Sequence, residues 1–451
     1  MALTTVILAA GQGKRMNSDL PKVLQPLAGR SILSHILATT SNLGSQAINI
    51  VYGHGGELVQ REFEHFSVDW TLQAEQLGTG HALKQALPSI PEDHEILVLY
   101  GDVPLVTEKT LNKLLSAAKG GVALLTAELG SAKGYGRVLR DKKNNVVAIV
   151  EEKDTTPEQS KIKEINTGLM VFPGKAIRGW IEAISSDNQQ QEFYLTDVIA
   201  LAVAEGVPVT GVLVDNADDI VGINNREQLA SAERILQKRY AREVMDQGAT
   251  LADPNRFDLR GSLKVGRDVF IDVNAVFLGN VELGSGVRIG PNAIISNCKL
   301  GDHSVVHEHC VIDGVVTGEN CEIGPFARLR PGTQFDSQVK VGNFVEVKAS
   351  TVLSGAKMNH LSYVGDTQVG KGVNIGAGTI TCNYDGASKH KTIIGDRVFV
   401  GSGAMLVAPL NIGNDATIAA GSTITKNVPE KTLSVARGKQ SVIKGWKRPK
   451  K

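Results

Sequence analysis

The chain has 451 residues, of which 42% are hydrophobic and 21% charged. That balance excludes general disorder and sets an expectation of roughly two to four domains. Forty-eight basic residues against 47 acidic ones leave a net charge of +1, so no chain-wide field for nucleic acid or a membrane surface is expected. No run of 18 apolar residues occurs, which excludes a spanning helix. The start, Met1 to Gly11, lacks a basic segment and reads as a strand, not a signal peptide.

Residues 1–225 alternate between two grammars. Short apolar runs at 6–10, 47–52, 96–100 and 122–126 are bounded by turn residues, and helical patterns at 31–37 and 81–87 lie between the first three. Continuous apolar strands alternating with helices predict an α/β domain with a mostly parallel sheet covered on both faces. Leu8-Ala9-Ala10-Gly11-Gln12-Gly13-Lys14-Arg15-Met16 follows the first strand directly. Its glycines let backbone N–H groups approach a phosphate, and Lys14 and Arg15 add charge; an ordinary tight turn is the alternative. The third glycine of the dinucleotide fingerprint is missing. Lys22 follows closely and could reach the same phosphates. Asp102, after the apolar run ending at Tyr100, is expected at a carboxyl edge, where open α/β sheets bind ligands. A carboxylate there can hold Mg²⁺, although a turn or helix-cap role would also explain it.

Residues 226–247 place Leu229, Ala232, Ile235, Leu236, Tyr240 and Val244 at helical spacing, which predicts a rigid connecting helix of about 30 Å that stops near Gly248. Residues 248–451 hold 27 of the 48 glycines of the chain, and their pattern explains the excess. Aliphatics recur every six residues: Val265, Ile271, Phe277, Leu283, Ile289 and Ile295; Ile323, Leu329, Phe335, Val341, Val347 and Leu353; Ile394, Val400, Leu406, Ile412, Ile418 and Ile424. A hexapeptide period predicts a parallel β-helix, three hexads to a coil, with coils stacked about 4.8 Å apart. The period breaks at 381–393, which is expected to leave the wall as a loop, where function tends to sit.

Within this second half, His360 lies in a polar neighbourhood of Arg330, Glu346, Lys348, Tyr363, Asn374, Asn383 and Tyr384. Arg330 and Lys348 are one coil apart and would stack as a phosphate cradle. An imidazole, ordinarily titrating near neutrality, suits taking a proton from an amine that attacks a thioester; a structural histidine is the alternative.

Several stretches carry a resemblance: Leu8-Ala-Ala-Gly, Asp19-Leu-Pro-Lys-Val-Leu, Gln73-Ala-Glu-Gln-Leu-Gly-Thr-Gly-His, Leu99-Tyr-Gly-Asp-Val-Pro-Leu, Gly134-Tyr-Gly-Arg, Ile165-Asn-Thr-Gly, Gly324-Pro-Phe-Ala-Arg-Leu-Arg-Pro-Gly, Val341-Gly-Asn-Phe-Val-Glu and Asn374-Ile-Gly-Ala-Gly-Thr-Ile-Thr-Cys-Asn-Tyr-Asp-Gly. Over nearly its full length the chain resembles the bifunctional bacterial N-acetylglucosamine-1-phosphate uridyltransferase / glucosamine-1-phosphate N-acetyltransferase family. The resemblance implies a Rossmann-like nucleotidyltransferase domain at 1–225, a helical linker at 226–247 and a left-handed parallel β-helix acetyltransferase domain at 248–451. It implies N-acetylation of glucosamine-1-phosphate by acetyl-CoA, then uridyl transfer from UTP with release of pyrophosphate. Leu8, Ala9, Ala10, Gly11, Gln73, Gly78 and Thr79 would hold the uridine nucleotide, and Lys22 its phosphates. Tyr100, Gly101, Gly136, Glu151 and Asn166 would line the sugar and ribose sites, and Asp102 and Asn224 would ligate Mg²⁺. His360 would be the general base, with Glu346 orienting it or its neighbours. Arg330, Lys348, Tyr363 and Asn374 would bind glucosamine-1-phosphate. Ala377, Asn383, Tyr384, Ser402, Ala420 and Arg437 would contact acetyl-CoA. The resemblance also implies a homotrimer with active sites between neighbouring prisms. The alternative is a single-activity sugar-1-phosphate nucleotidyltransferase whose β-helix is structural or regulatory.

Cys298, Cys310, Cys321 and Cys382 form no CxxC pair, which fits reduced core thiols and a cytoplasmic protein. His303, His307, His309 and Cys310 are ligand-like types, but residues one hexad apart fall on successive faces of a coil and do not converge. The basic tail from Lys444 is either solvated or crosses to a neighbouring subunit. No nucleic-acid or membrane partner is expected.

Overall fold

The computed structural model describes residues 2–53 and 55–449, which divide into two compact units meeting in sequence at Leu236 and Gln237. In the first unit, among the described residues, nine strands form one sheet. They are β1 (Leu3–Leu8), β2 (Ala47–Tyr52), β3 (Asp69–Leu72), β4 (Glu95–Tyr100), β5 (Val122–Glu128), β6 (Arg137–Arg140), β7 (Val146–Val150), β8 (Glu164–Pro173) and β9 (Val209–Leu213). The spatial order is β3-β2-β1-β4-β8-β5-β9, with β6 paired to β8 and β7 to β6. Neighbours are parallel except around β8 and in the β6–β7 hairpin.

Side chains on the two faces explain the continuous apolar runs. Helices α1 (Ile32–Ser41), α2 (Gly56–Glu62) and α4 (Glu108–Ala118) bury Leu33, Val59 and Leu111 on one face, together with Ile7 of β1. On the other, α3 (Thr79–Ala86), α5 (Gly174–Ala183) and α6 (Val198–Ala204) bury Leu83, Trp180 and Ile199 with Val6 and Leu8. Strands covered on both sides have no polar face to alternate. The antiparallel β8 is absent from the sequence analysis, which took 165–168 as a ligand motif. Its apolar run is interrupted by Asn166, Thr167 and Gly168, where the pairing with β5 slips between Asn166 and Met170, a bulge that re-aims side chains. The chain moves from β1 outward to β3 and returns to β4 on the far side of β1. The switch point therefore lies between β1 and β4, and a ligand crevice is expected beyond their carboxyl ends.

Helix α7 (Arg226–Asp246) follows, and Gly248 after it has φ 111°. In the second unit the buried Gln237 carboxamide reaches the first coil twice, Nε2 donating to Leu259 O at 2.8 Å and Oε1 accepting from Leu259 N at 2.7 Å. From Ala249 to Ser434 short strands pair in parallel, coil on coil; among the described residues one wall is an 11-stranded sheet and a 17-stranded sheet wraps the other two. This is a left-handed parallel β-helix of hexapeptide coils. Registers advance by 18 residues, as in Leu329 against Val347, or by 17, as in Val347 against Val364. One coil takes 25, setting Ile380 beside Met405, and the surplus leaves the wall between Asn383 and His390. Cys298, Cys310 and Cys321 are buried free thiols; burial pushes the thiols of Cys298 and Cys310 up to about 11, which makes them poor nucleophiles.

One inward position differs from the sequence analysis. The strict six-residue step points Leu353 inward, but Val352 is the residue with no exposure, and Leu353 is only partly buried. The corner before it turns through Ala349 at φ 44°, and the step from Val347 to the next inward residue is five. Val352→Asp is therefore expected to lower the melting temperature of the β-helix by about 10 °C or more, because it buries an unpaired carboxylate. Leu353→Asp is expected to lower it by only a few degrees; calorimetry of the two variants checks the register.

Two candidate active sites

In the first unit the residues named by the sequence analysis line two adjoining cavities that share Tyr100 and Asp102. One is walled by the backbone from Leu8 to Gly11 with Lys22, Gln73, Gly78, Thr79 and Gly101. The other is walled by Gly136, Glu151, Asn166 and Asn224. Gly101 N donates to Leu8 O, which ties the ends of β4 and β1 together at the switch point, and Ala9 N donates to Val51 O of β2, both at 2.8 Å. Gly13 has φ 61°, and a Cβ there would lie 2.7 Å from Cβ of Lys22, so this glycine lets the lysine pass against the loop.

Lys22 occupies the junction of the cavities. Its Nζ donates to Asp102 Oδ2 at 2.5 Å and to Asn224 Oδ1 at 3.2 Å. Asp102 comes from the carboxyl end of β4, and Asn224 is held just before α7 by its N–H on Gln228 Oε1 at 2.7 Å. Two oxygens from sites 122 residues apart thus converge on one cation position. That donor set, one carboxylate and one amide carbonyl with room left for phosphates and water, fits Mg²⁺. Lys22 was expected on phosphate; here it stands where such a cation would.

The sugar-side cavity is built on β8 and its neighbours. Asn166 Oδ1 accepts from Gly168 N at 3.0 Å, and Asn166 N donates to Gly136 O at 2.9 Å, which fixes the carboxamide at the bulge. Glu151 Oε1 accepts from Thr196 Oγ1 at 3.0 Å. Burial raises the Glu151 carboxyl above its usual range, and Asp197, Asp154 and Glu192 add to the rise. Burial likewise raises the Tyr100 hydroxyl. Gln76, Glu192 and Tyr135 also line these cavities; Gln76 and Tyr135 fall within stretches that carry the resemblance but were given no role, and Glu192 carried no signal in the sequence.

In the β-helix the candidate residues fall into two groups. The first is a column. Asn343 and His360 are register partners, and His360 Nδ1 lies 2.8 Å from Asn343 Oδ1. An amide oxygen only accepts, so Nδ1 carries the proton and Nε2 keeps its lone pair. The corner continues upward through bonds from Gly378 N to His360 O, Gly403 N to Ala377 O and Gly421 N to Ser402 O. Ala377, Ser402 and Ala420 therefore stack above His360, and Arg437 Nη1 donates to Ala420 O at 2.7 Å.

The second group is an ionic network on the next wall. Arg330 Nη1 meets Glu346 Oε1 at 2.8 Å, and Lys348 Nζ lies 3.9 Å from Asp366 Oδ2. Asn383 Nδ2 donates to Asp366 Oδ2 at 2.5 Å and to the Tyr363 hydroxyl at 3.4 Å. Glu346 thus engages Arg330, and the contact that orients His360 comes from Asn343, which the sequence analysis did not name. Asn374 begins the strand Asn374–Ile375, on the wall carrying His360 and outside this network. The loop from the long coil is a small hairpin, with Tyr384 bridged to Lys389 and His390 Nε2 on Asp385 Oδ2 at 2.7 Å. It brings Lys389 beside Lys348, whose ammonium holds Lys389 below the usual lysine range. Among the described residues no cluster of three or more His, Cys, Asp or Glu could hold a metal; His309 instead stacks on Phe326 at 4.9 Å.

Comparison with known proteins covers both halves. Residues 5–194 match the family model of the MobA-like NTP transferase domain, and 262–297 and 391–426 match that of the bacterial transferase hexapeptide (six repeats). The chain is 52% identical to the bifunctional protein GlmU of Alkalilimnicola ehrlichii over 99% of its own length and 97% of that protein. It is 52% identical to the bifunctional protein GlmU of Marinobacter nauticus and 51% identical to that of Chromobacterium violaceum, in each case over 100% of this chain and 99% of the relative. With a nucleotidyltransferase model and hexapeptide repeats matched within it, and relatives 51–52% identical over 99–100% of its length, the chain belongs to the GlmU family of bifunctional proteins.

Proposed function

We propose that the chain makes UDP-N-acetylglucosamine by two reactions in separate sites: the β-helix acetylates glucosamine-1-phosphate from acetyl-CoA, and the N-terminal domain couples the product to UTP. The domain limits assigned to these activities are 248–451 and 1–225, with 226–247 as linker. The observation that carries the reading is the presence, on one chain of this family, of a cation-binding oxygen pair at a sheet switch point and an amide-oriented histidine on a solenoid corner.

For uridyl transfer, the sugar-1-phosphate oxygen attacks the α-phosphorus of UTP, a P–O bond forms, and the bond to the bridging oxygen breaks as pyrophosphate leaves. The protein's share is positioning and charge, and no side-chain nucleophile is needed. Gln73, Gly78, Thr79 and the Leu8–Gly11 backbone hold the nucleotide, while Gly136, Glu151 and Asn166 hold the sugar. Asp102 and Asn224 would hold Mg²⁺, which when bound supplies neutralising charge to the phosphates. Lys22 then leaves Asp102 for phosphate.

For acetyl transfer, the amine nitrogen attacks the thioester carbonyl, Nε2 of His360 takes its proton, and the coenzyme departs as thiolate. Asn343 holds the tautomer that leaves Nε2 free to accept. Arg330, Lys348, Tyr363 and Asn374 bind the sugar phosphate, with Lys389 adding charge. Ala377, Asn383, Tyr384, Ser402, Ala420 and Arg437 line the acetyl-CoA path. We further propose a cytoplasmic homotrimer acting on small molecules, without nucleic-acid or membrane partners; no helix among the described residues is long and apolar enough to cross a membrane.

The reading is tested by following thiol and pyrophosphate release separately on purified protein, with glucosamine-1-phosphate, acetyl-CoA, UTP and Mg²⁺ each omitted in turn. Thiol release without UTP, and pyrophosphate only with acetylated sugar phosphate, is expected. Pyrophosphate without any thiol would leave the β-helix a scaffold. His360→Ala is expected to lower acetyl transfer by about 10² or more while uridyl transfer persists. Asp102→Ala should do the reverse, removing Mg²⁺-dependent pyrophosphate release while thiol release continues. Lys22→Met frees the Asp102 carboxylate, so the ligand-free variant should bind Mn²⁺ several-fold more tightly than wild type, as read by electron paramagnetic resonance.

A further inference from the structure

Gln73 stands just beyond β3 on the inner wall of the nucleotide cavity, with its side chain buried and only 4% of the residue exposed. Its Nε2 donates to Gly78 O at 3.1 Å and to His81 Nδ1 at 3.1 Å. A backbone carbonyl can only accept, so this end of the carboxamide is the NH₂ end, and both of its hydrogens are used. His81 Nδ1 must then present its lone pair and Nε2 carry the ring proton. That Nε2 lies 3.1 Å from Nε2 of Gln85, and because an amide nitrogen only donates, the exposed Gln85 carboxamide turns end for end to accept from it with Oε1. What Gln73 keeps for a ligand is Oε1, which accepts no hydrogen bond from the described residues.

His81 is itself held. It sits in the first turn of α3, and its ring lies 6.5 Å from that of Phe193. The Phe193 backbone is clamped to the same turn, donating to Leu77 O and accepting from Gly80 N, both at 2.8 Å. The acceptor that meets Gln73 therefore comes from a rigid element.

We infer that His81 is a positioning residue that sets nucleobase choice, by holding Gln73 as a pure hydrogen-bond acceptor toward the base; this rests on the uridyl-transfer reading. The pyrimidine edge carries the discrimination. A uracil ring turned toward Oε1 offers its N3–H, whereas a cytosine ring in the same pose offers an N3 lone pair, acceptor against acceptor. Turning the Gln73 amide end for end would relieve that clash. The turn would break the bond to His81 Nδ1 and the bond to Gly78 O together, leaving buried groups unpaired. Without an acceptor at position 81, only the Gly78 bond opposes it.

The test measures kcat/KM for UTP and for CTP by pyrophosphate release from the full-length protein, with N-acetylglucosamine-1-phosphate and Mg²⁺. His81→Phe keeps the ring volume beside Phe193 but cannot accept, and should reduce the UTP-to-CTP preference by about tenfold, chiefly through KM for the nucleotides. His81→Leu, smaller and equally unable to accept, should do the same. His81→Asn, which keeps an amide oxygen close to the place of Nδ1, should restore most of the preference. Melting curves establish that each variant is folded. An unchanged preference in the folded Phe and Leu variants overturns the inference while the uridyl-transfer reading stands. So does an equal loss in the Asn variant, since the effect would then be one of volume. Wild-type protein that releases pyrophosphate from neither nucleotide overturns the reading and the inference together.

Discussion

Inter-coil backbone bonding governs the second half of this molecule. Arg328 N reaches Val345 O, Arg330 N reaches Val347 O and Glu346 N reaches Ser362 O, each at 2.9 Å, so every residue is stacked on the one a coil away. A side chain's neighbours are then decided by its place within the coil, whatever its type. The inward aliphatics form the core, the outward positions form ladders, and the corners form columns. His360, Ala377, Ser402 and Ala420 share a column for this reason. Arg330 and Lys348 share a wall for the same one, although each is also met by a carboxylate. Because each coil touches only its neighbours, the site depends on a few adjacent coils and not on the length of the stack.

The nucleotide half obeys a different constraint. Its strands are covered on both faces, so polar chemistry is confined to their ends and to one bulge. β1 and β4 end at the switch point, and the loops that follow carry the glycine turn and Asp102. The bulge in β8 performs a related service for Asn166, whose carboxamide is fixed by Gly168 and whose N–H is taken by Gly136. Asn224 arrives from more than a hundred residues further on, and only tertiary folding brings it to Asp102.

Much of this was legible in the sequence, and the exceptions have physical reasons. Continuous apolar runs between helical patterns gave the parallel sheet, because burial on two faces removes alternation, and the six-residue period gave the β-helix, because inward stacking repeats regularly. The antiparallel β8 was not legible, since Asn166, Thr167 and Gly168 break its apolar run. Leu353 was assigned inward because a fixed step of six cannot register a corner turned with one residue fewer. Most of the residues carried over by family resemblance gather, as two cavities in one unit and as a column with a wall network in the other; Asn374 stands apart from both groups of the β-helix and Tyr384 sits in the ejected hairpin. What resemblance did not supply were the partners that orient them. Asn343 beside His360 and His81 beside Gln73 are ordinary polar residues at unremarkable spacing, and their roles depend on which atom faces which.

The ammonium of Lys22 between Asp102 and Asn224 has a consequence for the order of events in the nucleotide cavity. In the resting state the carboxylate carries an internal counter-ion, so the chain folds without an uncompensated charge at the switch point. On the proposed reading, loading a metal–triphosphate would be an exchange of one cation for another, with the displaced lysine finding its new counter-charge on the incoming phosphates.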